Sequence, residues 1–536
     1  MISLSFATYI VPAKAPFRPP AIPLLTTDPF IQTWMRGDTA TSAQVTHWDG
    51  VEKQMTGFAR VDGSTIQFLG SCSPQPATKP GPATALPGHN ISPGSCDIAN
   101  FANMDEAACN IACYNDPKCA AYVLNSKQSK CWLKSCATPV TVDAISNSGV
   151  ITGKHPSCGS KVAVAKQIGV TVHPTRTIFE LELGTAMRMN LTFLSTLFTD
   201  DFARLSRPVS YVTVDLASMD GESHGIELFF DVSAQHAVNN CAAQQVAWSM
   251  KATMTGDHFA DISLGNAVQN ILGSKGDRVN IDWGHLHLGT ATRNAAEASM
   301  RLWAGSATTA RSAFASAGTL PVKADTRQPR NCSDDLVVLA SQASLGNVGD
   351  AASHTWMFAY DEGEDGAINY FNQNFSGLWS YGPNGKSLDI HSVMSTAYDE
   401  HDAMLAKSES HDAALMTPLT TKFGEKYAQL CALSYRQTLA ATKLVWNHNL
   451  STTWNFLKEI STNGDMQTMD VIYPASPMLL YTNPELLRLL LIPVLAYAHN
   501  DTYINFNDPY SPHQLGTYVE LVSSTSSSSS FLFLFL

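Results

Sequence analysis

The spacing of apolar residues changes along this chain, and that change restricts the possible folds more than any other feature. Residues 178–183, 187–193 and 211–216 alternate between apolar and polar side chains, as strands with one buried face do. Beyond residue 387, apolar residues recur every three or four positions, in segments joined by short loops. These helical segments cover residues 388–408, 423–445, 452–462 and 484–498. The sequence therefore predicts a multidomain α+β protein, in which a β-sandwich precedes helices arranged as hairpins.

The length and charge of the chain limit its domain count and its partners. A chain of 536 residues is too long for a single ordinary core. Its 46 acidic residues outnumber the 34 Lys and Arg residues, which gives a formal net charge of −12. Such a chain lacks the basic surface that nucleic acids require, and anionic membranes would repel it. No run of about 18 apolar residues occurs, so we expect no transmembrane helix.

The predicted sandwich consists of residues 16–70 and 162–320, with a disulfide-rich insert at residues 94–138 between them. Its first part contains His47 beside Trp48. Such a pair is typical either of a ligand-stacking site or of a packed aromatic ring beside a hydrogen-bonded histidine, and we favour packing.

Three histidines in the second part of the sandwich, His224, His285 and His287, are candidate metal ligands. His285 and His287 share one face of a predicted strand, but no carboxylate cluster accompanies them in the sequence. Protein metal sites need several ligands of suitable type. The sequence therefore predicts no metal and no cofactor.

Six cysteines fall within 41 residues, between two linkers rich in Pro, Gly and Ser. They are Cys96, Cys109, Cys113, Cys119, Cys131 and Cys136. Closely spaced cysteines indicate either a metal site or a disulfide framework. The absence of a Cys-x-x-Cys motif and of a nearby histidine pair favours disulfides. So small a domain buries too little surface to fold without such links.

The pattern of this insert resembles a PAN/apple module. A helical segment at residues 105–113 precedes two strand-like segments at residues 120–124 and 131–133. The resemblance implies a helix linked by disulfides to a small sheet, with a protein or glycan ligand. A tolerated insertion without a ligand is the alternative. We predict the pairs Cys109–Cys131 and Cys113–Cys119, and Cys96 bonded to Cys136 or Cys158. Disulfides favour a secreted or lumenal location.

Three segments near the C-terminus carry a second resemblance. They are Glu-Ile-Ser-Thr-Asn-Gly at residues 459–464, Asp-Val-Ile-Tyr-Pro-Ala-Ser-Pro at 470–477 and Ser-Pro-His-Gln-Leu-Gly-Thr-Tyr at 511–518. They resemble the central domain of the fungal glutaminase A family. The resemblance implies a secreted enzyme that hydrolyses L-glutamine to L-glutamate and ammonia. It also implies an N-terminal β domain followed by a helical toroid of the six-hairpin glycosidase kind, here a partial α/α toroid at residues 330–518.

The local structure of this region follows from turn and capping residues. Residues 454–457 predict a helix, which Asn463 and Gly464 would end because both tolerate the left-handed conformation. Residues 465–477 are rich in turn formers and predict a partly buried loop. The next helix would begin at Asn483, a capping residue followed by proline.

The candidate catalytic residues are Glu459, Asp470 and His513. Amide hydrolysis needs a nucleophile or an activated water molecule, and a proton donor for the leaving ammonia. No Gly-x-Ser-x-Gly elbow occurs, so we favour water activated by a carboxylate. Either Glu459 or Asp470 would be the base, the other a proton donor or orienting group, and His513 would complete the site. In the opposing interpretation, Glu459 caps a buried loop and Asp470 accepts backbone hydrogen bonds.

The candidate substrate-binding residues are Tyr435, Arg436, Asn463 and Tyr473. A buried arginine must be paired, so Arg436 would bind either a substrate carboxylate or an internal aspartate. Asp412 is expected at the surface, from its position on an amphipathic helix. The same two carboxylates also suit a glycoside hydrolase of the six-hairpin class, with a carbohydrate substrate. A non-catalytic carbohydrate- or protein-binding protein is a third hypothesis.

The resemblance ends at Tyr518. Gln514 stands where the family pattern has Asp, and residues 519–536 form a low-complexity tail of Ser followed by alternating Phe and Leu. We therefore expect the chain as written to lack the C-terminal helical domain, to expose the faces which that domain would cover, and to release no ammonia from glutamine.

Overall fold

The structure is a computed structural model. It describes residues 18–71, 83–91, 96–115, 119–135, 140–151, 162–249, 253–255, 259–276, 278–291, 299–381, 387–459, 464–499, 512–517 and 520–521.

The N-terminal segment forms a small sheet and then enters a larger one. Its strands are β1 (Ile22–Thr26), β2 (Gln32–Met35), β3 (Val45–Thr46), β4 (Met55–Val61) and β5 (Ser64–Leu69). The first three pair antiparallel in the order β1-β2-β3. The hairpin between β4 and β5 turns at Asp62 and Gly63, which both have positive φ. Glycine adopts this conformation without strain, as expected for a tight hairpin.

The cysteine-rich segment consists of one helix and five strands. They are β6 (Ala83–Ile91), β7 (Asp97–Ala102), α1 (Glu106–Asn115), β8 (Ala121–Asn125), β9 (Lys130–Lys134) and β10 (Val140–Ile151). Two disulfides attach α1 to the sheet, and they join the predicted pairs Cys109–Cys131 and Cys113–Cys119. Cys96 is also disulfide-bonded. Its predicted partners, Cys136 and Cys158, lie outside the described residues.

The next part of the chain supplies most of the sandwich. Its elements are β11 (Ala163–Val164), β12 (Lys166–Val172), β13 (Arg176–Leu183), β14 (Met187–Ser195), α2 (Phe202–Leu205), β15 (Val209–Ser218), β16 (His224–Ser233), β17 (Gln245–Trp248), β18 (Thr253–Thr255), β19 (Phe259–Asn266), β20 (His285–Ala291), β21 (Ser299–Ser306), α3 (Ala307–Ala317), β22 (Arg330–Asn331), β23 (Val337–Val348) and β24 (Ala351–Asp361).

Two antiparallel sheets carry these strands, with a single parallel pair at β11 and β5. One has six strands in the order β11-β5-β4-β16-β23-β21. The other follows the order β12-β13-β14-β15-β24-β20-β19-β17-β22, with β18 beside β19. Phe230 of the first sheet stacks on Trp356 of the second, with ring centroids 5.1 Å apart. The sheets therefore pack face to face around a shared apolar core.

The sandwich extends further along the chain than the sequence predicts. Strand β23 pairs with β16 and β21, and β24 pairs with β15 and β20. Both strands lie beyond residue 320, where the predicted sandwich ends, and inside the central domain predicted from residue 330. The sheets end at Asp361 instead. Seven consecutive residues of each strand are buried, so neither strand shows the alternation that predicts the earlier strands of the sandwich.

The C-terminal part combines helices with a mixed sheet. Its elements are β25 (Ile368–Tyr370), β26 (Gln373–Gly377), α4 (Ile390–Asp399), α5 (His401–Phe423), α6 (Glu425–Ala440), β27 (Thr442–Asn447), β28 (Thr452–Leu457), α7 (Met469–Thr482), α8 (Pro484–Ala498), β29 (Gly516–Thr517) and β30 (Glu520–Leu521). The described residues contain two helical hairpins, α5–α6 and α7–α8, while the toroid stays a prediction. Among the described helices, none is both long and apolar enough to cross a membrane.

Two predicted elements in this part were wrong. Residues 452–457 form strand β28, which pairs with β27, and not a helix. A short apolar run fits either period, and its aromatic and β-branched residues favour a strand. Residues 469–477 begin helix α7, where we predicted a loop. Pro474 and Pro477 disfavour this helix, but Ile472 and Leu479 are buried against Leu489, and that packing outweighs propensity.

A third disulfide, Cys241–Cys332, joins segments 91 residues apart. We predict that the Cys241→Ser/Cys332→Ser protein loses about 2–5 kcal/mol of unfolding free energy, because closing a long loop restricts the unfolded chain. Urea unfolding measures this loss. Cys431→Ser is the control, since Cys431 is a half-buried free thiol. Equal stability of the double variant and the control would contradict the prediction.

Candidate functional site

A cleft of about 610 Å³ lies between the N-terminal sheet and the helices α6 and α7. One wall carries Trp34 of β2 and Trp48, which follows β3. The opposite wall carries Gln437 of α6 and Pro474 of α7, and Glu459 follows the end of β28. Four separate parts of the chain therefore build this cleft.

The two tryptophans give the cleft an aromatic wall with polar edges. Trp34 is almost fully buried, at 6% exposure. The indole Nε1 atoms of Trp34 and Trp48 are buried, and neither has a hydrogen-bond partner within the described part of the chain. Buried N–H groups are usually paired. Within the described structure, both indole N–H groups are therefore left unsatisfied.

Opposite charges stand side by side at the end of β28. The backbone N–H of Lys458 donates to Ala441 O at 2.9 Å, and that of Glu459 donates to Asp465 O at 2.7 Å. These bonds fix the turn in which Lys458 and Glu459 line the cleft. Lys458 Nζ lies 5.2 Å from the Trp48 ring centroid, a cation–π distance. The cleft lining thus includes an acidic residue directly after a lysine, and both are largely buried.

Buried histidine and lysine side chains pack behind Trp48. His47 is 2% exposed and is not among the cleft-lining residues, so the predicted packing role fits its position. Burial lowers the pKa of His47, which keeps the ring neutral at pH 7. Lys53 is also buried, and its Nζ donates to Gln235 O and, at 3.4 Å, to Val238 O. Burial lowers the pKa of Lys53 to about 7.

The low pKa of Lys53 predicts a pH-dependent stability. The unfolded chain keeps the ordinary lysine pKa of about 10.4, so it binds more protons than the folded protein between about pH 7 and pH 10. The unfolding free energy should therefore rise with pH there, by up to about 1.4 kcal/mol per unit. Lys53→Met should remove this rise, as measured by urea unfolding across the range. Lys166→Met, at an exposed lysine paired with Glu182, should keep it. Parallel pH profiles of the wild type and Lys53→Met would contradict the prediction.

The structure places Arg436 and Tyr435 away from the cleft. Arg436 is fully buried; it donates from Nε to Thr26 Oγ1 at 3.1 Å, from Nη1 to Thr177 Oγ1 at 2.7 Å and from Nη2 to Leu24 O at 2.6 Å. Burial lowers its pKa to about 9, so it stays charged at neutral pH. The Tyr435 hydroxyl donates to Leu197 O at 2.6 Å.

These contacts favour a packing role for Arg436 and Tyr435, and their predicted binding of substrate stays untested. Both residues attach α6 to the sheets, and the face of α6 that lines the cleft carries Leu433, Ser434 and Gln437 instead. The prediction that Asp412 lies at the surface was wrong. It is buried, not at the surface, and accepts from Arg176 Nε at 3.0 Å.

The other predicted site residues lie around the start of α7. Asp470 is in its first turn, and its Oδ1 is 3.2 Å from His513 Nε2. The backbone N–H of Met469 donates to His513 O at 2.8 Å, which holds this pair in place. Tyr473 is 69% exposed and does not line the cleft, so its predicted contact with substrate is not supported. Asn463 lies outside the described residues.

Asp261, His287 and His391 form a separate cluster with metal-ligand chemistry. None of the three lines the cleft. The sequence predicted no metal because His285 and His287 lacked a nearby carboxylate. Strand pairing supplies one, since Asp261 Oδ2 lies 3.0 Å from His287 Nδ1.

Three family models match the chain. The glutaminase A six helical-hairpin domain matches residues 424–528. A domain of unknown function (DUF5127) matches residues 175–418, and another (DUF4964) matches residues 4–75. Among curated proteins, glutaminase A of Aspergillus oryzae is 30% identical over 353 residues, which are 64% of this chain and 48% of that protein. This chain belongs to the glutaminase A-type family.

A second curated relative is also described as a glutaminase. The probable glutaminase of Arthroderma benhamiae is 26% identical over 349 residues, which are 62% of this chain and 38% of that protein. The chain therefore spans about half the length, or less, of the curated relatives it matches. The six-hairpin model covers α6, β28 and α7, which supply the cleft-lining residues outside the N-terminal sheet.

Sequence reasoning located Glu459 but missed much of its surroundings. Lys458 directly precedes Glu459 in the sequence, so the motif already contained the lysine of the charged pair. Trp34 gave no comparable signal, because it reaches the cleft only after the N-terminal sheet packs against α6.

Arg436 gives a test of the assignment to packing. We predict that Arg436→Gln lowers the unfolding free energy by about 2–4 kcal/mol, because charged hydrogen bonds are lost and buried acceptors stay unpaired. Urea unfolding measures the loss. Arg488→Gln, at an exposed arginine paired with Glu485, should change stability by about 0.5 kcal/mol or less. An Arg436→Gln protein of normal stability that fails to bind substrate would restore the binding role.

Proposed function

We propose that this protein is a secreted amidohydrolase that hydrolyses L-glutamine to L-glutamate and ammonia, with its active site in the cleft. The observation that carries the proposal is the Lys458–Glu459 pair in the cleft, opposite Trp34 and Trp48. The family membership agrees with it. Free glutamine is a zwitterion, and a cleft with both charges near an apolar wall suits such a ligand.

Each part of the cleft has a role in this proposal. Lys458 attracts the α-carboxylate, and the tryptophan rings cover the methylene groups. Glu459 takes a proton from a water molecule, whose oxygen forms the new bond to the amide carbon. The C–N bond then breaks, and the nitrogen leaves as ammonia after receiving a proton. Asp470 orients His513, and in this proposal the pair delivers the proton from beside Val471, although neither residue belongs to the cleft lining.

The location follows from the redox chemistry of the cysteines. Disulfides join Cys109 to Cys131, Cys113 to Cys119 and Cys241 to Cys332. Such bonds persist in oxidising compartments, which favours secretion. A protein or glycan ligand of residues 94–138 remains a prediction.

A glycoside hydrolase is the second candidate, favoured by the aromatic wall. Tryptophan rings pack well against sugars, and the cleft volume of about 610 Å³ exceeds what one glutamine fills. Carboxylates also serve glycoside hydrolysis. Aryl glycosides therefore belong in the same assay.

Ammonia release from L-glutamine is the direct test. We predict that Glu459→Gln lowers kcat/KM by at least about 100-fold and that Asp470→Asn lowers it less, because general-base catalysis contributes about 100- to 10,000-fold. Both variants should keep their melting temperatures. Glu485→Gln is the control, since Glu485 lies on the surface of α8 and pairs with Arg488.

The outcomes separate the hypotheses. Full activity of Glu459→Gln would remove this residue from the site, and hydrolysis of aryl glycosides alone would favour the second candidate. Calorimetry with L-glutamate tests binding without turnover. Binding that Glu459→Gln weakens, without ammonia release, would support the cleft as a glutamate-binding site and overturn the proposed hydrolysis. The proposal is overturned if the protein neither binds L-glutamate nor releases ammonia from L-glutamine.

A further inference from the structure

One carboxylate and two imidazoles converge on the outer face of the ten-stranded sheet. Asp261 Oδ2 lies 3.0 Å from His287 Nδ1, and Asp261 Oδ1 lies 2.8 Å from His391 Nδ1. One potential ligand atom from each residue lies within 4.8 Å of the other two. The cluster joins strands β19 and β20 to the first turn of α4.

The strand register explains the convergence. Asp261 pairs with Gly289, and Ser263 pairs with His287. Asp261 and His287 are therefore diagonal neighbours on one face of the sheet. Helix α4 covers this face and brings His391 to the other oxygen of Asp261. Gly289 permits the close packing, because a Cβ at this position would lie 2.5 Å from the Phe259 ring and 3.0 Å from Met394 Cε.

The charge balance of the cluster favours a cation. Asp261 is fully buried, and its ion-pair partners in the described part of the chain are the two histidines alone. Asp361 and Asp389 also act electrostatically on His391, and Asp361 acts on His285. Two further carboxylates thus add negative potential at His391, besides the one that contacts it. A buried carboxylate is costly unless a positive charge compensates it.

The chemistry and access of the cluster suit a transition metal. Imidazole and carboxylate together are ligands for Zn²⁺ and neighbouring divalent ions, whereas Mg²⁺ and Ca²⁺ prefer oxygen alone. Two ligand atoms that share a metal at about 2.0–2.2 Å stand about 3.0–3.4 Å apart. The observed O–N separations of 2.8 and 3.0 Å need a small expansion, and the ligand nitrogens of the two histidines, within 4.8 Å of each other, must come to a similar distance. The His391 side chain is 26% exposed, so an ion can enter from its side.

We propose that Asp261, His287 and His391 bind a divalent transition-metal ion, with solvent completing its coordination. Without the ion, the same atoms hydrogen-bond to one another. The bound ion links α4 to the sandwich, independently of the cleft.

The test titrates the full chain with Zn²⁺ after treatment with EDTA and dialysis. Calorimetry should show one Zn²⁺ per chain, no binding of Mg²⁺ or Ca²⁺ at this site, and a higher melting temperature with Zn²⁺. Co²⁺ should give the absorption bands of nitrogen-ligated cobalt. Asp261→Asn and His391→Gln should abolish the stoichiometric binding. His391 is partly exposed, so its variant is expected to fold.

His224→Gln is the matched control. His224 also contacts two carboxylates, Asp62 Oδ2 at 2.6 Å and Asp220 Oδ1 at 3.0 Å, but at the protein surface and without a second histidine. This variant should bind Zn²⁺ as the wild type does. The proposal is overturned if the wild type binds no stoichiometric Zn²⁺, which would leave a purely hydrogen-bonded cluster. It is also overturned if folded Asp261→Asn and His391→Gln proteins bind Zn²⁺ normally.

Discussion

Buried cations attach the helices of this protein to its sheets, and the position of the cleft depends on them. Arg436 joins α6 to β1 and β13 through three hydrogen bonds. Arg176 at the start of β13 binds Asp412 of α5. Lys443 of β27 donates to Asp28 and Glu362, at 2.8 Å in each case. A buried charge without its partner costs several kcal/mol, so each link tolerates few alternative geometries.

This attachment explains how the cleft acquires its composition. The N-terminal sheet contributes Trp34 and Trp48, while α6, β28 and α7 contribute the other walls. Neither part alone contains both the aromatic wall and the charged pair. Burial opposes a charge on Lys443, but Asp28 and Glu362 raise its pKa above the ordinary lysine value. Lys443 therefore stays protonated at neutral pH.

The cleft and the Asp261 cluster use the sandwich in different ways. The cleft forms where the helices α6 and α7 meet the small N-terminal sheet. The cluster forms where α4 covers the ten-stranded sheet. None of its three residues lines the cleft. A change in one site is therefore not expected to alter the chemistry of the other directly. Both sites consist of polar groups that distant segments bring together.

The sequence by itself determined the features that depend on neighbouring residues. Alternation in segments such as Arg176–Leu183 indicated the sandwich, and cysteine spacing indicated the disulfide framework. A local motif gave Glu459 as a candidate residue, and Glu459 lines the cleft. Tertiary structure alone decided the rest. Residues 452–457 became a strand because β27 pairs with them, and Arg436 became a packing residue because Thr26, 410 positions away, accepts its hydrogen bond. Asp261 met His391 only through the docking of α4. Burial and pairing depend on partners far along the chain, and local sequence patterns do not determine which partners these are.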